Sequence, residues 1–117
     1  MDNALVLAID QGTTNTKALL VDRSGAVIAS ASRPMTVDYP EPGWAEQSAD
    51  AIWAAVKAVV DELAAHSRIA DVIALAVSNQ RESIVVWDAA TGKPLAPCII
   101  WQCRRTASTC EALIAAG

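Results

Sequence analysis

Histidine occurs once in this chain of 117 residues, as His66, and cysteine three times, as Cys98, Cys103 and Cys110. An odd number of cysteines cannot close into a complete disulfide framework, and their spacing, with the lone histidine far away, fits no zinc site. The expectation is buried thiols in a reducing compartment. His66 falls in what reads as the last turn of a helix, where an imidazole meets the terminal carbonyls, and is assigned no catalytic role. Apolar runs long enough to span a membrane are absent, and no basic-then-apolar leader opens the chain, so a cytoplasmic protein without membrane insertion is expected. The formal charge is −4 and the nine Lys and Arg are scattered, which gives no footprint for nucleic acid. There is no G-x-x-x-x-G-K-[ST] loop, no internal repeat and no low-complexity segment.

Against these absences, 53% of residues are hydrophobic and 19% charged, the balance of a folded domain. The length suits one small domain or a piece of a larger one. Ala4–Ile9 is an apolar run that ends in Asp10-Gln11-Gly12-Thr13-Thr14-Asn15-Thr16-Lys17, and a second apolar run, Ala18–Val21, begins at once. Two extended segments joined by a tight polar turn make a hairpin. Gly12 lets the backbone approach an anion, the threonines add hydroxyl donors and Lys17 adds positive charge. Asp10 would repel a phosphate unless a cation stood between them, which points to magnesium and a nucleotide. The competing reading is an ordinary turn whose hydroxyls are locally satisfied.

Asp22–Gly25 is a turn signal, and residues 26–32 read as a third antiparallel strand. Pro34, Pro40, Pro42 and Gly43 make residues 33–47 irregular. Ser48 is a candidate N-cap for a helix over residues 49–65, with Ile52, Val56, Val59 and Leu63 as its apolar stripe. Val72–Val77 is a continuous apolar run, as expected for a strand buried on both faces. Further extended segments are expected over Ile84–Trp87 and Leu95–Trp101, and a last helix over Arg104–Ala116. Three antiparallel strands, a crossover helix and a further strand give an α/β layer with a mixed sheet.

Arg81 and Glu82 follow the most apolar strand, and ligands of such sheets bind beyond the carboxyl ends of the strands. Arg offers a fork of donors and Glu a pair of acceptors, which together suit a polyol or sugar, and Trp101 could pack against its carbon skeleton. The bland alternative is a surface ion pair with a core tryptophan behind it.

Taken together, Ala8–Thr14, Tyr39–Gln47, Asn79–Ser83, Val86–Trp87, Thr91–Pro94 and Ile100–Thr106 resemble the FGGY carbohydrate kinases. That family belongs to the actin, heat-shock chaperone and sugar kinase superfamily, with its ribonuclease-H-like fold. Within the family the pattern is most similar to the glycerol kinases, and the Met-His pair usual beside this stretch in xylulose kinases is absent. The resemblance implies a mixed sheet with flanking helices, residues 1–117 being the N-terminal part of the first lobe, with the rest of that lobe and the second lobe lying downstream. It implies ATP and Mg2+ as cofactors and phosphorylation of a polyol, glycerol to glycerol 3-phosphate, in a full-length homo-oligomer, dimer or tetramer. Asp10 would face the magnesium through water. Gly12, Thr13, Thr14, Asn15 and Lys17 would contact the nucleotide, and Arg81, Glu82, Trp101 and Thr13 the polyol.

The pattern departs from the family at Asn15-Thr16-Lys17, where Ser-Ser-Arg is usual. The general-base aspartate matches nothing in these residues, so this stretch alone is expected to be inactive. Two alternatives stand beside this reading: a kinase for another polyol or sugar, and a chaperone-type ATPase of the same fold.

Overall fold

Alternation decides the first strands. In a computed structural model describing residues 3–117, Leu5–Gln11 (β1), Asn15–Asp22 (β2) and Val27–Pro34 (β3) form an antiparallel meander, and Val72–Asn79 (β5) joins β1 in parallel. The strand order is β3-β2-β1-β5. A two-residue strand, Glu46–Gln47 (β4), precedes the helix Ala49–Ala64 (α1). Successive side chains of a strand point to opposite faces, and every second one here turns inward: Leu5, Ile9 and Gln11 buried on β1 with Leu7 half-buried between them, and Thr16, Ala18 and Leu20 buried on β2. α1 turns Ala55, Val59 and Leu63 inward at helical spacing. Leu5, Ile9, Ala18, Leu20, Ala31, Val59 and Leu63 form one core. Truncating a fully buried member such as Leu20 to Ala would cost about 2–5 kcal/mol.

The β2–β3 turn is held by Asp22, whose Oδ1 accepts from Ser24 N (2.8 Å), Ser24 Oγ (2.6 Å) and Ala26 N (3.0 Å). The Ser24 hydroxyl is the largest cause of an Asp22 carboxyl held below its ordinary range.

Two compact units divide the chain: residues up to Thr36 with Asp50–Gln80, and Val37–Ala49 with Arg81–Gly117. The second unit has little regular structure. β4 pairs antiparallel with Cys98–Ile99 (β6), and the chain ends in the helix Ala107–Ala116 (α2). Ala45, Gln47, Cys98 and Ile100 are its buried residues.

The mixed sheet, the meander and α1 agree with the sequence reading; several details correct it. The apolar run of β5 forms its strand but is not buried: Ile73, Leu75 and Val77 are 75%, 61% and 66% exposed. The run is written for cover on both faces, yet α1 serves the other three strands, and no described residue pairs with the outer edge of β5. Ile84–Trp87 is not a strand; Ile84 bridges Ile99 and Trp87 bridges Pro94 as isolated pairs, so no two consecutive residues share a partner segment and no ladder forms. The Leu95–Trp101 segment shrinks to β6, and α2 starts at Ala107 because Arg104–Thr106 form a turn before it. Residues 33–47 contain β4 and the end of β3. His66 lies beyond α1, its Nδ1 accepting from the Arg68 amide at 3.2 Å, and a 3-10 turn follows at Ile69–Asp71. Of the thiols only Cys98 is buried; Cys103 is half-buried and Cys110 exposed on α2.

Candidate functional site

The hairpin tip is made by the backbone. β1 ends at Gln11 and β2 begins at Asn15, and the Gly12 amide donates to the Asn15 carbonyl at 2.9 Å. A Cβ on Gly12 would stand 2.8 Å from that same oxygen, closer than real Cβ atoms come, so glycine is required. The Met35 amide donates to the Thr14 carbonyl (2.9 Å) and anchors the far side of the tip.

Register then sorts the side chains. Ser32, Lys17, Asp10 and Ser78 lie side by side across one face, and Arg33, Thr16, Gln11 and Asn79 across the other. Asp10 and Lys17 are both exposed, and no ion pair joins either to a described residue. Beside Asp10 a shallow, open groove is lined by Ala8, Ile9, Leu19, Ala76, Val77 and Ser78. Thr14 is exposed, with Thr13 and Asn15 half-buried beside it. Thr16, by contrast, is fully inside and its hydroxyl has no partner among the described residues.

The donor set fits a magnesium carried by a nucleotide. No cluster of three acidic, histidine or cysteine ligands exists among the described residues, so no all-protein cage is available. Magnesium asks for only one or two carboxylates when phosphates and water complete its shell. An unpaired Asp10 beside a glycine-closed tip meets that requirement.

In the second unit Arg81 and Glu82 are exposed and form no ion pair, with each other or with any described residue. The surface-pair alternative is therefore set aside. Glu82 has φ +62°, the one left-handed non-glycine among the described residues, a strained backbone conformation of the kind that collects at functional sites. Trp101 is 54% exposed, so it is not a core residue; its amide donates to the Ser83 hydroxyl at 3.2 Å.

Two constellations were not foreseen. Arg105 lies 3.8 Å over the Trp44 ring, donates to Glu46 Oε2 at 2.6 Å through Nη2 and to Cys103 Sγ at 2.9 Å through Nε. Burial pushes the Cys103 thiol up, but the Arg105 guanidinium and the Ala45 and Arg105 amides outweigh it and the net shift is down. Cys98, with burial alone acting, is pushed up. The other constellation is a clamp of Gln11 and Gln80 on the hairpin tip. Its sequence signal is slight: two amides at the ends of adjacent strands.

The FGGY family of carbohydrate kinases, N-terminal domain, matches over residues 5–117. A "Glycerol kinase" of Carboxydothermus hydrogenoformans is 44% identical, the match covering 100% of this chain and 24% of that protein. An "Apulose kinase" of Pectobacterium atrosepticum is 45% identical over 97% of this chain and 23% of that protein. Among solved structures, the xylulose kinase from Rhodospirillum rubrum superposes with a TM-score of 0.85 at 33% identity, over 97% of this chain and 23% of its own. The Plasmodium falciparum glycerol kinase with ADP gives 0.84 at 26% identity, over 96% and 23%. The chain thus spans about a quarter of the length of the curated relatives it matches. The mixed sheet and its flanking helices are part of the ribonuclease-H-like fold of these sugar kinases. By its sequence and its fold, the chain belongs to the FGGY carbohydrate kinases, within their N-terminal domain.

Proposed function

We propose that this chain is the N-terminal part of the first lobe of an ATP-dependent kinase that phosphorylates a terminal hydroxyl of a polyol, with glycerol as the substrate and glycerol 3-phosphate and ADP as products. The observation that carries the reading is Asp10: an exposed carboxylate without an ion pair, at the edge of a hairpin tip that only glycine can close. Bound Mg–ATP supplies the transferable phosphoryl group and the charge that neutralises it. The chain's own part is positional. Gly12 shapes the tip, the backbone amides of Thr13, Thr14 and Asn15 and the Thr14 hydroxyl orient the phosphates, and Lys17 adds positive charge beside them. Arg81 donates to polyol oxygens, Glu82 accepts from polyol hydroxyls, and Trp101 covers the carbon skeleton. Holding both reactants in line is a large share of such catalysis.

The test is ADP release by the full-length protein over a panel of polyols. Glycerol should give turnover, and Asp10→Ala should abolish it; undiminished turnover in that variant rejects the role of Asp10. A second reading keeps the kinase and changes the acceptor to a sugar, supported by the similarity to the apulose kinase. Turnover with a ketose and none with glycerol would select it.

A further inference from the structure

The ladder between β1 and β5 does not stop with its last strand pair. Beyond Gln11 and Asn79, the Gln80 amide donates to the Gln11 carbonyl at 2.9 Å. Three side-chain bonds continue from there. Gln11 Nε2 donates to the Gly12 carbonyl (2.9 Å), Gln80 Nε2 to Gln11 Oε1 (3.3 Å), and Thr13 Oγ1 to Gln80 Oε1 (3.3 Å).

The order of these donors is fixed at one end. A backbone carbonyl can only accept, so Gln11 must present its NH2 to Gly12 and therefore its oxygen to Gln80. Gln80 must then turn its own NH2 to Gln11 and its oxygen to Thr13. The Thr13 hydroxyl is left to donate to Gln80. A chain of amides thus reads the Gly12 carbonyl and sets the direction of a hydroxyl on the same hairpin tip. Gln11 is buried and Gln80 half-buried, so water competes weakly for these bonds. Gln80 is also the last residue of the first unit; Arg81 and Glu82 follow it directly.

We propose that Gln80 is a positioning residue for the nucleotide: through Gln11 and Thr13 it holds the hairpin tip in one hydrogen-bonding state, with the Thr13 proton committed away from the phosphates. The proposal rests on the nucleotide reading above. A phosphate oxygen has no proton to give, so in this state the Thr13 side chain is matched to a water or hydroxyl that can donate to it, and the phosphates fall to the backbone amides. Losing Gln80 frees the tip and the Thr13 rotor together.

The experiment is a double-mutant cycle in the full-length protein, read as MgADP affinity by calorimetry. Gln80→Met keeps the volume of the side chain and removes its bonds, and Thr13→Val removes the hydroxyl. Gln80→Met should weaken MgADP about tenfold, and should have less than a twofold effect in the Thr13→Val background, since it acts through that hydroxyl. Additive effects, the mark of a merely structural residue, overturn the proposal, as does affinity within twofold of wild type. Gln80→Asn guards against misfolding: it keeps an uncharged amide but is one methylene too short to hold Gln11 and Thr13 together, and should also weaken binding; unchanged affinity overturns the proposal. If wild-type protein binds no MgADP, the nucleotide reading falls and this one with it, whereas wild-type binding with an inert Gln80→Met rejects this one alone.

Discussion

The two units of this molecule solve the same problem by different means. Around the hairpin, site residues are placed by the sheet: Asp10, Lys17, Ser32 and Ser78 share a face because the register leaves no other choice. Around Arg81, Glu82 and Trp101 there is only the two-residue β4–β6 pairing, isolated bridges and a strained φ. There the chain is held by side chains, chiefly Arg105 clamped between Trp44, Glu46 and Cys103. A backbone-made site should fail when the backbone is obstructed. A site of presented side chains should fail one residue at a time.

The largest expected effect follows from the first half of that contrast. Gly12→Val in the full-length protein forces the tip open, and MgADP affinity should fall by about a hundredfold or more, roughly 3 kcal/mol. Calorimetry reads it, and retention within a few-fold would mean that the side chains, not the backbone, make the cradle. Next, Arg81→Ala should raise KM for the polyol about tenfold to a hundredfold, the range expected for losing a charged hydrogen-bond partner. MgADP affinity should not follow it. Steady-state kinetics with both substrates varied would show whether the two regions separate in this way.

A smaller effect probes the clamp. The Cys103 pKa lies below its ordinary 9.0 while that of Cys98 lies above it. As pH falls from 9, the Cys103 thiolate therefore persists after an unperturbed thiol has protonated. Its alkylation by iodoacetamide should continue to lower pH than that of Cys98, and Arg105→Leu should move the Cys103 profile upward. The stability linked to that thiolate has the same sign: present above the ordinary value, lost as pH falls through the folded one. Mass spectrometry of labelled peptides across pH checks the order of the two thiols, and equal profiles would remove the guanidinium from the account. The smallest effect concerns Thr16, buried without a hydrogen bond. Thr16→Val removes an unsatisfied hydroxyl and should be neutral or stabilising by up to about 1 kcal/mol. A thermal melt measures it, and a drop in MgADP affinity instead would enrol Thr16 in the cradle.

The same contrast explains what could be read from the sequence. β1, β2, α1 and the hairpin tip were legible because alternation, helical spacing and one glycine between hydroxyls are local signals. Their placement in a mixed sheet followed from the order of the elements. β5 was legible as a strand but not in its exposure, since an apolar run records the cover a strand is suited to and not the cover it has. Ile84–Trp87 misled because β-branched residues and tryptophan favour strands, while the segment finds only single bridges, to Ile99 and to Pro94. The Arg105 clamp joins residues 59 apart in sequence, and no local pattern announces such a contact. Arg81 and Glu82 were found as a polar break after an apolar strand, whereas the left-handed φ of Glu82 belongs to no propensity a carboxylate carries.

β5 has a further consequence, for how the chain is made. Its sequence, VIALAVSN, carries no charge and no proline to discourage a second strand from pairing with its open edge. Any cover supplied from within the same molecule arrives at a rate independent of concentration. Pairing between two molecules speeds up with concentration. Folding yield is then a race between a first-order and a second-order process, and slower synthesis at lower temperature should favour the soluble product.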